Sequence, residues 1–456
     1  MINTAPPSGM RDFLPLETLR RRYVQNTIRR VFEQYGFVEL ETPAVENLTT
    51  LLGKYGEEGD QLLFRLLHRR DRLARALEQE TIAEKDLAEM GLRYDLTVPL
   101  ARVIAHNSDL PRFFKRYQMQ MVWRADRPGK GRYREFMQCD VDVTGTKSLI
   151  ADTEVCSAVA QALQELGLKD FTIQLNHRQL LKCLIKAAGI ALEQEEVTLV
   201  AVDKWDKIGE PGVVQELQNR GIAAEAASRL LHLLKRPEGI SETEALDRLS
   251  GLLHDIPEAE PAIQELRQVL ALATHTPAGS RLKVDATLAR GLGYYTGPIF
   301  EIRSPLAKGS LGGGGRYDGL IGMFCNREIP AVGFSIGFER VVLLLEEAGL
   351  FPTTGAGAHM LVCRFDDADP VEVMKAASIL RQSGIKVEIY PETGKIGKQI
   401  SYADTQKIPV VGIFGGAETA AQVISLKHLT SGEQAKLSYT ESVAKIQEWL
   451  QKTSTA

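Results

Sequence analysis

Cysteine is scarce: five residues among 456, with no C-x-x-C pair. Cys139, Cys156, Cys183, Cys325 and Cys363 are odd in number and scattered. That excludes a disulfide framework and points to a reducing compartment. The histidines are equally dispersed, without H-x-x-H or H-E-x-x-H, so no zinc site or other direct protein metal ligands are expected. Long apolar runs are missing too, and no stretch of about 18 apolar residues could serve as a membrane helix. The opening "MINTAPPSGMRDFLP" has no apolar segment behind a basic start, so a cytoplasmic protein with no membrane partner is expected. An excess of one charge sign is lacking as well, with 55 Lys+Arg against 59 Asp+Glu. This argues against non-specific coating of nucleic acid, but leaves local basic patches open. No repeat or low-complexity tract is evident.

What is there reads as a soluble globular chain, 44% apolar and 25% charged. Its length suits two or three domains. Apolar spacing predicts a helix over Leu16–Tyr35, ended by Gly36, and then a strand in "FVELETPAVE" that stops at Pro43. Residues 59–90, rich in charge and Ala/Leu, read as a helical excursion. The segment from Phe113 to Gly145 reads as a long antiparallel hairpin around the basic tip "DRPGKG". A helix is expected over Ser148–Gly167, and a helical insertion over about 190–275. Strand character returns at "RLKVDATLARGLGYYTGPIFEIRS", followed by a glycine-rich turn and a strand running into a buried helix at "AVGFSIGFERVVLLLEEAG". Residues 351–357 have linker composition, and 358–456 alternate strands and helices as a small α/β domain with a largely parallel sheet.

Several features carry possible chemistry. The hairpin tip holds Arg124, Arg127, Lys130, Arg132 and Arg134. A solvated basic turn would account for these charges. However, the apolar strands on both sides root the arginines in core sheet, where unpaired charge is costly and a planar fork suits phosphate. "LRYDLTVPLAR" places Asp95 and Thr97 on one face of a short strand, either as turn residues or as a carboxylate and hydroxyl ready for an ammonium group. "LGGGGRYDG" matches neither a P-loop nor a dinucleotide fingerprint. It is either a flexible turn or backbone meant to approach a flat ligand closely. Arg340 begins an apolar helix, where it could snorkel outward or clamp a phosphate tail. Together, arginines on a hairpin, Arg290 among glycines and Arg340 at a helix start suit a nucleoside triphosphate held without a P-loop.

In this order the motifs resemble class II aminoacyl-tRNA synthetases. "WRADRPGKGRYREF" resembles motif 2, "VGFSIGFERV" motif 3, and the Leu16–Val45 helix and strand with Pro43 the weaker motif 1. "LARGLGYYTG", "GGGGRYDGL" and "SGMRDFLP" resemble signatures of the histidyl-tRNA synthetase family, while "GEEGDQLLF" and "LRYDLTVP" look closer to its eukaryotic-type branch.

The resemblance implies an α+β fold. Residues 1–350 would form a catalytic domain on an antiparallel sheet with the helical insertion, and 358–456 an anticodon-binding α/β domain. It implies a ligase that makes histidyl-adenylate from L-histidine and ATP with Mg²⁺, and then charges tRNA(His), as a homodimer. By the same resemblance Arg124 meets the ATP α-phosphate and Arg340 the γ-phosphate end, Arg132 lies beside the phosphates, and adenine is stacked between Arg340 and Phe136. Arg290 binds the α-phosphate and the substrate carboxylate. Asp95, Thr97 and Gln138 hold the amino and carboxyl groups, and Tyr294, Tyr295 and Asp142 surround the imidazole. Arg127 and Lys130 are expected at the tRNA acceptor end. Gly293 stands where family members often carry an acidic residue. Two other classes remain to be weighed: a catalytically silent, histidine-sensing regulatory subunit, and an enzyme that adenylates an amino acid for a carrier other than tRNA.

Overall fold

Alternation along the two arms of the Phe113–Gly145 hairpin sets the architecture. In the C-terminal arm Cys139, Val141 and Val143 point to one face of a sheet and Gln138, Asp140 and Asp142 to the other. The apolar face is covered by the helix Leu149–Glu165, which buries Val155, Cys156, Val159, Ala162 and Leu163 and is capped by Ser148. The polar face is left for a site. The computed structural model describes residues 2–54, 56–78, 81–289, 293–352 and 357–455. Arg290 and residues 353–356 of the expected linker lie outside them.

The strands in chain order are β1 (Val38–Glu39), β2 (Val45–Asn47), β3 (Arg65–Leu67), β4 (Ala88–Leu92), β5 (Phe114–Trp123) and β6 (Glu135–Thr144). There follow β7 (Thr172–His177), β8 (Leu282–Val284), β9 (Pro298–Arg303), β10 (Gly312–Arg316) and β11 (Ala331–Ile336). The last group is β12 (Met360–Arg364), β13 (Val387–Ile389), β14 (Val410–Phe414), β15 (Val423–His428) and β16 (Gln434–Ser438). Contacts divide the chain into two compact units, Met1–Asp12 with Tyr23–Leu350, and Phe13–Arg22 with Phe351–Ala456.

The first unit is built on an eight-stranded sheet of order β1-β5-β6-β11-β10-β9-β7-β8. Its central pairings are antiparallel; only β1–β5 and β7–β8, at the two ends, are parallel. Register lines up one polar row across it: Gln118, Asp140, Ser335, Gly313, Glu301 and Gln174. The helical insertion contains Glu195–Val202, Trp205–Asn219, Ala224–Leu234, Glu242–Leu252 and Ala259–Ala273.

Four expectations are corrected. Residues 59–90 are not wholly helical, because β4 pairs with β2 on one side and β3 on the other in a small antiparallel sheet. Asp95 and Thr97 do not sit on a strand. Thr97 opens the helix Thr97–His106, and Asp95 accepts the Val98 N–H at 3.1 Å, ahead of a Pro99 that the first helical turn tolerates. The tetraglycine is no turn but β10, in the middle of the large sheet. In the second unit β13, β12 and β14 are parallel, but β15 and β16 add an antiparallel hairpin at the edge, making the sheet mixed. Its Trp449 and Tyr439 pack with Val362, Leu380 and Phe414 on one face, while Leu361, Cys363 and Val411 pack on the other. Among the described residues no helix is long and apolar enough to cross a membrane.

Candidate active site

The polar face of the large sheet opens into a cavity of about 450 Å³. Asp95, Thr97, Arg124, Arg132, Phe136, Gln138, Tyr294, Tyr295 and Arg340 all line it. Four separate stretches of sequence are thereby brought to one place.

The hairpin supplies one side. The Arg124 guanidinium lies 4.2 Å from the Tyr94 ring centroid and 5.2 Å from that of Phe136, and its Nε donates to the Tyr94 carbonyl at 3.0 Å. The charge is thus steered by stacking and one backbone acceptor. Arg132 is exposed, 3.9 Å from Asp126. Arg127 and Lys130 lie outside the cavity on the exposed tip, and Lys130 pairs with Glu347 at 2.7 Å. From the facing helix Phe338–Glu347, Arg340 donates to the Ser310 carbonyl at 2.6 Å.

The other end is a pocket of rings and carboxylates. Tyr294 meets Tyr295 edge-on at 5.1 Å and Tyr317 at 6.0 Å. Asp142, expected beside the substrate ring, is not on the cavity wall but one layer behind it. Its Oδ2 lies 2.8 Å from Arg116, and its Oδ1 accepts from the Tyr317 hydroxyl at 2.5 Å. Gly333, opposite Asp142 in the neighbouring strand, makes this possible, since a Cβ there would collide with the Asp142 carboxylate. Burial raises the Asp142 carboxyl above its ordinary range, against the pull of Arg116 and Tyr317. Asp140 is pushed up to about 7, chiefly by burial and then by Asp142 and Asp95, with Arg116 opposing. The Tyr295 hydroxyl is raised by burial and by the same three carboxylates.

Several important residues were not singled out from the sequence. Arg116 is fully buried, bonded to Gln118 Oε1 and the Leu96 carbonyl as well as to Asp142. Its signal was a charged residue alternating with Gln118 and Gln120 inside a strand. Arg93 donates to the Pro43 and Met121 carbonyls and to Gln120, tying the end of the first strand segment to the hairpin. Arg316 is ion-paired with buried Asp152, fixing the "RYDG" stretch to the covering helix. Glu339 takes the Met137 N–H at 3.1 Å and the Arg11 guanidinium at 2.6 Å. It thereby joins the N-terminal segment, the hairpin and the Phe338–Glu347 helix at the cavity wall. Its neighbour Arg340 was noticed; a buried acid beside it was the cue.

Chemically, the cavity joins an arginine-rich half, suited to a polyphosphate, to a half of tyrosines and buried carboxylates suited to a cation with a flat polar ring. No cluster of three metal-binding side chains occurs among the described residues.

Known proteins resemble this chain along most of its length. Residues 9–341 match the family model described as histidyl-tRNA synthetase, and 361–449 that of an anticodon binding domain. The histidine–tRNA ligase of Porphyromonas gingivalis is 43% identical over 441 residues, 94% of this chain and 96% of that protein. That of Christiangramia forsetii is 41% identical over 447 residues, 95% and 97% of the two chains. The crystal structure of histidyl-tRNA synthetase from Nostoc sp. PCC 7120 has a TM-score of 0.81 at 34% identity, covering 98% of this chain and all of that one. With its fold, its cavity and the match along most of its length, the chain belongs to the histidyl-tRNA synthetase family.

Proposed function

We propose that this chain is a histidine–tRNA ligase whose two half-reactions both take place in the 450 Å³ cavity. The observation that carries the reading is the joining of Arg124 and Arg340 to Asp95, Gln138, Tyr294 and Tyr295 in one cavity. In the first step a histidine carboxylate oxygen attacks the α-phosphorus of ATP in line. The bond to the bridging oxygen breaks, and pyrophosphate leaves. Two anions must approach, and fixed guanidinium groups offset their repulsion as charge develops. Arg124 is assigned to the α-phosphate, Arg340 to the γ-phosphate end, Arg132 to a place beside the phosphates, and Phe136 with Arg340 to adenine. Arg290, outside the described residues, is assigned to the α-phosphate and the carboxylate. In the second step a terminal ribose hydroxyl of tRNA(His) attacks the adenylate carbonyl, and AMP leaves.

Asp95, Thr97 and Gln138 are assigned to the substrate's amino and carboxyl groups, and Tyr294 and Tyr295 to its ring, with Asp142 holding that wall from behind through Tyr317. A pocket that pairs both imidazole nitrogens rejects analogues lacking them, because its own polar groups would be left buried and unpaired. Mg²⁺ would enter on the ATP phosphates and not on a protein cluster, with Asp126 and Glu301 the nearby lining carboxylates and Glu339 taken up by Arg11 and Met137. Bound with ATP, it would neutralise the β- and γ-phosphates. Arg127 and Lys130, on the exposed tip, are assigned to the tRNA acceptor end. We further assign residues 1–350 to catalysis, 190–275 within them to gripping the acceptor arm, 351–357 to the linker, and 358–456 to the anticodon. A homodimer is supported by β1, which leaves Val38 53% exposed at an open sheet edge. A cytoplasmic site of action fits the unpaired cysteines.

The test is histidine-dependent ATP–pyrophosphate exchange followed by charging of tRNA(His), with both expected. Exchange without charging would point to another carrier. No exchange by folded protein that still binds histidine would point to a sensing subunit.

A further inference from the structure

Beside the assigned residues, the floor of the amino-acid pocket contains a short row of polar side chains, Gln138, Ser335 and Asp140. Gln138 Nε2 donates to Ser335 Oγ at 2.9 Å. Ser335 stands opposite Asp140 in the sheet register, which puts its hydroxyl on the same face as the Asp140 carboxyl, whose charged form it favours. Asp140 is 2% exposed, and its Oδ1 has no hydrogen-bond partner. At the other end, Gln138 Oε1 is buried at the cavity wall without a partner.

The direction of such a chain follows from what its last member can do. An ionised carboxylate only accepts. The single hydroxyl proton of Ser335 must then go to Asp140, so the Ser335 oxygen is left to accept from Gln138. Gln138 in turn must face Ser335 with its NH₂ and the cavity with its carbonyl. Were Asp140 absent or protonated, Ser335 could donate to Gln138 instead. The amide would be free to rotate and aim its NH₂ at the incoming substrate, and an NH₂ facing an ammonium group is a mismatch of two donors.

We propose that Asp140 is a positioning residue for the amino-acid substrate, acting through Ser335 to hold the Gln138 carbonyl toward the histidine ammonium group. This rests on the assignment of Gln138 under the proposed function. Asp140 does not touch the substrate. The groups that face it are Asp142 on its own strand, Arg116 and Gln118 on β5, Ser335 on β11, and Asp95 and Tyr295 from the segments that close the pocket. Arg116 is committed to Asp142 at 2.8 Å, so Asp140 is the carboxyl of that pair that takes up a proton first. That uptake is centred at about pH 7, because burial beside Asp142 and Asp95 outweighs Arg116. A raised value means that Asp140 is neutral below this pH and ionised above it. The relay is therefore directed at alkaline pH and loses its direction as the pH falls.

The experiment measures KM for histidine and for ATP, and kcat, in pyrophosphate exchange from pH 6 to 8.5 for the full chain. Asp140→Asn, Ser335→Ala, their double variant and Gln138→Ala are compared with the parent. At pH 8, KM for histidine should rise roughly tenfold in Asp140→Asn and in Ser335→Ala, as for the loss of one well-placed acceptor. KM for ATP and kcat should stay within about twofold of the parent. The double variant should be no worse than either single one, because both break the same chain. The ratio of KM in Asp140→Asn to that of the parent should shrink toward one as the pH falls through about 7; this ratio also cancels the titration of the substrate's own imidazole. A ratio that is constant with pH, or additive single effects, overturns the proposal. So does an unchanged KM in Ser335→Ala when Gln138→Ala raises it, and that variant decides the matter if Asp140→Asn fails to fold. If Gln138→Ala itself leaves KM unchanged, the assignment of Gln138 falls, and the proposal with it.

Discussion

At the scale of single residues, the cavity divides into side chains that act by charge and side chains that keep other charges in place. Arg124, held over two rings, belongs to the first kind. Arg124→Ala should lower pyrophosphate exchange by about 10²–10³, as when a fixed donor to a developing anion is removed, with the unfolding temperature little changed. Arg116 belongs to the second kind. Arg116→Met would leave Asp142 buried beside Asp140 without its cation, and should cost about 3–5 kcal/mol in urea unfolding. Adding Asp142→Asn should recover part of that loss, because the charge then disappears with its partner. Gly293 is exposed, and a Cβ there would meet open space. Gly293→Asp should accordingly change stability by less than about 0.5 kcal/mol by calorimetry.

At the scale of elements, the sequence was most legible where one face is apolar. The hairpin arms, the helix Leu149–Glu165 and the strand-to-helix step at Gly337 were all visible, because burial imposes a period on the chain. It was least legible where pairing is non-local. Four glycines in a row carry no β propensity, yet β10 is a central strand because β9 and β11 enclose it. Its glycines are demanded by closeness: a Cβ on Gly314 would run into the Gly333 carbonyl and the Phe334 backbone. Gly314→Ala should therefore destabilise by about 1–3 kcal/mol in chemical denaturation and lower exchange, since the strands bearing Ser335 and Glu301 would be forced apart. Likewise β3 and β4 are short and mixed in composition, and only pairing, of β3 with β4 and of β4 with β2, makes them strands. Within the cavity, the arginines and tyrosines of the quoted motifs were legible from their residue type. Arg116, Asp140, Ser335 and Glu339 were not, because what matters about them is the partner opposite in the sheet or across the cavity, which spacing along the chain does not show.

At the scale of the whole molecule, the outer edge of β1 is the consequential surface. Val38 is exposed on a strand whose other side is paired to β5. If this edge meets a second copy, Val38→Glu should shift sedimentation from dimer toward monomer at micromolar concentration, because like charges would face each other in a two-fold contact. The order of strands in the large sheet has a further consequence, for synthesis. β6 finds its neighbour β11 only after the helical insertion and four further strands of the sheet have been made, and Glu339, which ties Arg11 and Met137 together, comes later still. On the ribosome the hairpin must therefore wait with one long edge unsatisfied. The emerging chain should depend on chaperones throughout that interval, and the ability to bind ATP should arrive late and all at once.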